Sequence, residues 1–260
     1  MVNSGGAAAS GSSTKAERAI HITKGGPYHV TGSVPLDEKI ITPVGHHNEL
    51  REGRHLPQSA EYDLCRCGGS HTAPFCDGTH LAKGFDGSEV ADRRPFAERI
   101  ADTVEGSTMT LLDDDRCAYA RFCHREPGDV WQLTEHDSDP NNRREAIIGV
   151  SECIAGRLVE IDNDGKPLES EKQPEISVLQ DPAEATSSAL YVQGPIQLVG
   201  VDGFEYELRN RMALCRCGAS QDKPFCDATH ARTNYRDSSV KAQYSEPKEK
   251  PVGFTGKSIK

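Results

Sequence analysis

Cys65–His80 reads CRCGGSHTAPFCDGTH and Cys215–His230 reads CRCGASQDKPFCDATH. The two stretches align without a gap at an offset of 150 residues, so the 260-residue chain carries an internal repeat of the form C-x-C-x8-C-x3-H. Two thiolates one residue apart in a tight turn can grip one metal ion, and Gly68-Gly69 or Gly218-Ala219 after them lets the backbone fold back closely. The third cysteine and the histidine are four apart, which sets them on one face of a helical turn. Asp77 and Asp227 stand at the start of that turn, where a carboxylate favours exposed N–H groups. Two internally close donor pairs, three sulfurs and one nitrogen in all, suit a binuclear centre with two ligands per iron. On ligand count alone a Cys3His zinc site competes. A C-x-C disulfide would be strained and would leave Cys76 and Cys226 unpaired.

Upstream, Gly26–Gly32 (GPYHVTG) matches Gly194–Gly200 (GPIQLVG), so each copy begins with a short alternating strand. In that alignment Pro27 stands much farther ahead of Cys65 than Pro195 does ahead of Cys215, and the difference is an insertion in the first copy. It falls on Asp37 to His55, a polar stretch with Pro43, Gly45, His46, His47 and Gly53 that reads as a loop. Between the copies, Asp139 as N-cap with Pro140 behind it predicts a helix whose apolar positions are Ala146, Ile147, Val150, Cys153 and Ile154, with Gly156 closing it. Leu158 to Ile161 alternates as a strand. The expected organisation is a disordered tail (1–19), a first β module with its loop (20–100), a middle unit (107–161), an acidic linker (162–188), a second module (189–236) and a polar tail (237–260).

The nine cysteines form three sets of three, an odd total that disfavours a disulfide framework. The middle set, Cys117, Cys123 and Cys153, has C-x5-C-x29-C spacing. It resembles a divergent single-cluster ferredoxin domain, although Ala120 stands where a further ligand would be and Ile154 replaces the proline after the remote cysteine. Three cysteines can hold a 3Fe-4S cluster, and His124, Asp115 or water could complete a 4Fe-4S one; the competing reading is a small core of buried cysteines.

The outer stretches resemble the CDGSH iron-sulfur family, C-x-C-x2-[ST]-x3-P-x-C-D-G-[SAT]-H. Ser70, Pro74, Asp77, Gly78 and Thr79 all match, and the second copy departs only at Ala228, where the motif has glycine. By resemblance to mitoNEET-like proteins, one redox-active 2Fe-2S cluster is implied at Cys65, Cys67, Cys76 and His80 and another at Cys215, Cys217, Cys226 and His230. A neutral imidazole in place of a thiolate raises the potential of such a site and adds a protonation handle. The resemblance also implies that the two modules pair within one chain, which a long connection permits at little extra entropic cost.

Composition bounds the rest. With 40 acidic against 30 basic residues and a net charge of -10, nonspecific binding to nucleic acid or anionic membrane is disfavoured. Only 35% of residues are hydrophobic, against 24 Gly and 15 Pro, so the expectation is a loop-rich α+β chain in which metal centres help to fix small units. No apolar run is long enough to span a bilayer, and no secretory h-region precedes Ala19, which reads as a soluble, cytoplasmic protein; the alternative is an organelle matrix, with Lys15 and Arg18 in a short targeting peptide that Glu17 argues against. No nucleophile-elbow, P-loop or Rossmann fingerprint appears. The functional expectation is an electron carrier or cluster-transfer protein rather than an enzyme, served by an unidentified redox or cluster-acceptor partner. The alternatives are a structural zinc-binding interaction module and a redox subunit of a larger oxidoreductase. His46, His47, His55 and His71 read as solvated loop residues and Trp131 as a core anchor.

Overall fold

The structure, a computed structural model, describes residues 18–240. Strands β1 (Ala19–Ile22), β2 (Tyr28–Thr31), β3 (Leu36–Val44), β4 (His47–Glu52) and β5 (Tyr62–Leu64) lead into the first cysteine stretch, which ends in the short helix α1 (Thr79–Lys83). The middle unit holds α2 (Phe96–Arg99), β6 (Asp102–Glu105), β7 (Met109–Asp113), β8 (His124–Arg125), β9 (Gly128–Asp129), α3 (Val130–Glu135), α4 (Pro140–Ser151) and β10 (Leu158–Asp162). Then β11 (Glu175–Asp181), a 3-10 turn at Pro182–Glu184, β12 (Thr186–Gln193), β13 (Gln197–Val199) and β14 (Arg211–Leu214) precede the second cysteine stretch and α5 (Thr229–Arg232).

The two copies exchange strands. One sheet runs β13-β1-β2-β5 and the other β14-β12-β11-β3-β4, so β13 of the second copy joins the first sheet and β3 of the first copy joins the second. The exchanged edges are parallel and equivalent: Ile20 lies opposite Leu198, and Ile176 opposite Leu36. Within each copy Val30 pairs with Tyr62, and Val192 with Met212. Alternation along these strands points Ile20, Ile22, Tyr28, Val30, Val34 and Leu36 into the same core as Ile176, Val178, Leu190, Val192, Ile196 and Leu198. Neither copy closes a core alone; each completes the other's.

These ladders correct the sequence register. The structural partner of Gly32-Ser33-Val34-Pro35-Leu36 is Gly194-Pro195-Ile196-Gln197-Leu198, not the earlier Gly26–Gly32 that sequence sets against Gly194–Gly200. Moving the first copy's match from Gly26 to Gly32 brings it closer to Cys65, so the insertion is a third shorter than the sequence alignment implies. Nor is it a loop. It is the β3–β4 hairpin, Lys39 to Glu52 paired across a turn at Gly45, where the second copy has only a tight turn at Gly200–Phe204. Arg51 and Glu52 of its edge strand face water, but Glu38 and Asn48 are buried, and a polar stretch that buries such residues carries no apolar alternation to mark it as strand.

The acidic segment 162–188 is likewise no linker. Its EISVLQD is β11, the central strand of the larger sheet, and β11 and β12 are buried on both faces. Ile176 and Val178 face the shared core, while Leu179, Ala189, Tyr191 and Ala213 face Ala118, Ala120, Phe122 and Ile154 of the middle unit. The first copy's sheet has no such cover: His29 and Asp63 on its outer face remain well exposed. Ala19, placed in the N-terminal tail by sequence, is buried in β1, and Asp237 and Val240 of the C-terminal tail are buried too; residues 1–17 and 241–260 of the tails lie outside the described residues.

In the middle unit α4 has its expected N-cap, Asp139 accepting from Asn141 N at 2.7 Å, but it ends at Glu152, and Gly156 (φ 65°) closes the turn after it. The three-stranded β6-β7-β10 sheet buries Glu160 at 2% exposure. Thr134 Oγ1 donates to its Oε1 at 2.6 Å, while Oε2 has no partner. Burial therefore pushes its carboxyl from 4.5 up to about 7. A carboxyl raised in the fold loses stability for it as pH climbs from the unfolded value to the folded one, and the loss is complete above. Glu160→Gln keeps the acceptor and removes the charge, so it should add up to about 3 kcal/mol at pH 8 and nothing at pH 4. Urea titrations at the two pH values check this; an equal effect at both would remove the charge explanation.

Candidate metal centres

Each cysteine stretch is closed by the same local bonds. Ser70 Oγ donates to Phe75 O at 2.6 Å and Ser220 Oγ to Phe225 O at 2.7 Å. The Asp77 carboxylate accepts from the backbone N–H of His71 (2.8 Å) and Thr79 (3.0 Å), and Asp227 does the same for Gln221 (2.9 Å) and Thr229 (3.0 Å). Aspartate thus bridges the loop to the helix start rather than serving as the N-cap residue, which is Gly78 or Ala228. Ala228 takes φ 66° where Gly78 has 84°, so the one departure from the motif preserves the backbone path at the cost of a left-handed alanine.

The donors stand in pairs. Cys65 Sγ lies 3.7 Å from Cys67 Sγ and Cys215 Sγ 3.6 Å from Cys217 Sγ. Cys76 Sγ lies 3.3 Å from His80 Nδ1, and Cys226 Sγ 3.3 Å from His230 Nδ1. Among the described residues no group of three or more side chains of these types converges on one ion position, so the arrangement is two and two. Burial pushes the Cys76 and Cys226 thiols up, which means their thiolate forms need compensating positive charge nearby. A metal centre supplies that charge, and the donor set fits one.

The two centres sit back to back. A methyl group on Gly68 (φ 68°) would lie 2.3 Å from Cys217 O, and one on Gly218 (φ 79°) 2.6 Å from Cys67 O. Tyr28 from the first copy crosses over, its hydroxyl within 2.9 Å of both Cys215 O and Pro224 O. Lys83 Nζ donates to Cys67 O at 2.8 Å. Sequence reasoning passed over Tyr28 and Lys83, which have Leu190 and Thr233 at the corresponding positions. It also passed over Arg66 and Arg216, although the arginine of C-R-C recurs in both copies and both are buried.

Cys123 and Cys153 pack against one small core, and Cys153 also against the cluster that contains Cys226; among the described residues the three middle cysteines do not converge on one ion position. Burial pushes the Cys117 thiol up, and burial reinforced by Cys153 and Cys117 pushes Cys123 up to about 12. Their loop is held in an unusual path, with left-handed φ at Asp115, Tyr119 and Arg121, and Tyr119 N donates to Cys117 Sγ at 3.4 Å. Asp115 is paired with Arg157 at 3.2 Å. His47 lies beside Glu49 and Glu126, His71 on Asp77, and Trp131 Nε1 on Asp113 at 3.3 Å.

Comparison with protein-family models matches residues 25–81 and 188–231 to the iron-binding zinc finger of CDGSH type. These are two CDGSH-type domains; the unit between them is not identified. No curated protein and no solved structure matches the chain. Among the described residues no helix is long and apolar enough to cross a membrane.

Proposed function

We propose that the chain is an iron-sulfur protein that holds one 2Fe-2S cluster at Cys65, Cys67, Cys76 and His80 and another at Cys215, Cys217, Cys226 and His230, and that it passes on electrons or clusters. The observation that carries this is the two-and-two grouping of three thiols and one imidazole, repeated in both copies inside segments that match an iron-binding family of which each domain typically binds a 2Fe-2S cluster. When bound, such a group supplies one-electron chemistry. The chain's own part is to hold buried thiols in pairs, to aim N–H donors such as Gly69 N at sulfur (3.4 Å to Cys67), and to bring a positive charge close through Lys83. The middle cysteines are the candidate third centre: the reading is supported by the packing of Cys123 and Cys153 against one small core and by the three left-handed residues of their loop, a conformation that persists only where the surroundings impose it.

Anaerobically purified protein is expected to be coloured, with iron and acid-labile sulfide in equal amounts, and Cys76→Ser or Cys226→Ser should each remove one centre's share of the iron. Iron beyond the two outer centres, lost on Cys123→Ser, would mark the third. A colourless protein with stoichiometric zinc and no sulfide would overturn the proposal.

A further inference from the structure

We propose that the two CDGSH centres divide their roles: the first gives up its cluster to acceptors, and the second retains its own. The inference rests on the reading that both centres are loaded, and its basis is a difference in cover at the paired cysteine and histidine of each site; at the C-x-C pair the order is reversed, Cys67 being buried and Cys217 half-buried. His230 is 2% exposed and Cys226 is buried, whereas His80 and Cys76 are only half-buried. Beside His80 lies Leu81, 80% exposed; the corresponding residue in the second copy is Ala231.

The cause is in the hairpin over each histidine. In the first copy β1 and β2 join through a turn of five residues between Ile22 and Tyr28, and this turn reaches His80 with Gly26, where a methyl group would lie 3.6 Å from Nε2. In the second copy the whole stretch from Leu179 to Ala189 separates the equivalent Val178 and Leu190, and the hairpin continues through Gln180–Ser187 and Asp181–Thr186 pairs. That extension lies on α5: Thr186 Oγ1 donates to His230 O (3.1 Å) and to Tyr235 O (2.8 Å), and Ser187 N donates to Tyr235 O (2.7 Å). The middle unit fastens it further, because Arg121 binds Asp181 at 2.9 Å just before the 3-10 turn. Cover of this kind opens only by local unfolding, which the first centre does not need.

Delivery from the first centre to an acceptor bearing four thiols is ligand exchange without change of oxidation state. Bonds to Cys65, Cys67, Cys76 and His80 are replaced by four bonds to acceptor thiolates; three of the released protons return to the departing cysteines and the fourth goes to the imidazole or to solvent.

The test begins with protein shown by iron and sulfide analysis to hold both clusters, the middle centre having been removed by Cys123→Ser if iron exceeds that amount. Excess EDTA at pH 8 should then bleach it in two phases of equal amplitude, separated by at least about tenfold in rate, the effect of one local opening. Cys226→Ser protein should show only the fast phase and Cys76→Ser only the slow one. Replacing the Leu179–Ala189 stretch by the short turn of the first copy should convert the slow phase to a fast one. A single phase in the intact protein, or fast loss from Cys76→Ser, would overturn the division while leaving the two-cluster reading standing. Absence of iron and sulfide at the outset would instead remove that reading.

Discussion

Gly68→Ala should destabilise the chain by about 2–5 kcal/mol, the sum of a left-handed alanine and of overpacking against a rigid neighbour. The added methyl would lie 2.3 Å from Cys217 O and 2.7 Å from Cys217 C, both backbone atoms that no rotamer change can move aside. Relief requires the two cysteine loops to separate, which pulls Cys67 and Cys217 from their partners Cys65 and Cys215. Iron content should therefore fall together with the thermal midpoint. Gly78→Ala is the control. Its φ of 84° is also left-handed, but nothing lies within 4 Å of the new methyl, and the second copy already carries Ala228 there at φ 66°. It should cost no more than about 1–2 kcal/mol, the backbone term alone. Equal losses for the two substitutions would mean that the back-to-back contact between the centres contributes nothing.

The parts of this molecule that were legible from sequence are those whose causes are local. Cys65–His80 and Cys215–His230 could be paired because donor spacing is written in the chain, and the Asp139-Pro140 start of α4 because capping is a matter of one or two residues. What escaped was non-local. A strand buried on both faces loses the alternation that marks a half-exposed one, and β11, with Ser177 and Gln180 inside it and prolines on either side, looked like a solvated connector. Gly-Pro recurs at 26–27 and 194–195, yet those glycines occupy different turns; the true repeat is identified by the ladders, in which Leu36 pairs with Ile176 and Leu198 with Ile20. The covering of one histidine and not the other depends on hairpin length and on Arg121 arriving from a different unit, neither of which the motif contains.

Asp237→Ala should cost about 3–5 kcal/mol, the penalty for stranding a buried guanidinium. Arg216 is 3% and Asp237 2% exposed, and the two are directly paired. Arg216 also donates to Ser188 O (2.7 Å) and Leu179 O (2.8 Å), while Asp237 accepts from Gln180 Nε2 (3.0 Å) and Ser239 N (2.8 Å). The pair therefore fastens the segment after α5 to β11 and β12. Burial opposes ionisation of Asp237, but Arg216 and the bonds from Ser239 and Gln180 prevail and hold its carboxyl well below the usual range. A depressed carboxyl contributes its full stability above the unfolded value of 3.8 and loses it as pH falls through the folded one, so the effect of Asp237→Ala should be undiminished at pH 5 and fade only in strong acid. The first copy meets the same arginine differently. Position 87, equivalent to Asp237, is glycine, and Arg66 donates to Gly87 O (2.5 Å) with its guanidinium over the rings of Tyr28 (5.2 Å) and Phe85 (5.5 Å). An ionic partner is thus one solution among two for this position, and the double substitution Arg216→Met with Asp237→Leu should recover most of the loss. Denaturant titrations of Arg216→Met, Asp237→Leu and the double variant form the cycle, with Asp237→Ala measured beside them; an Asp237→Ala cost below about 1 kcal/mol would show the pair to be no more than a surface-grade contact.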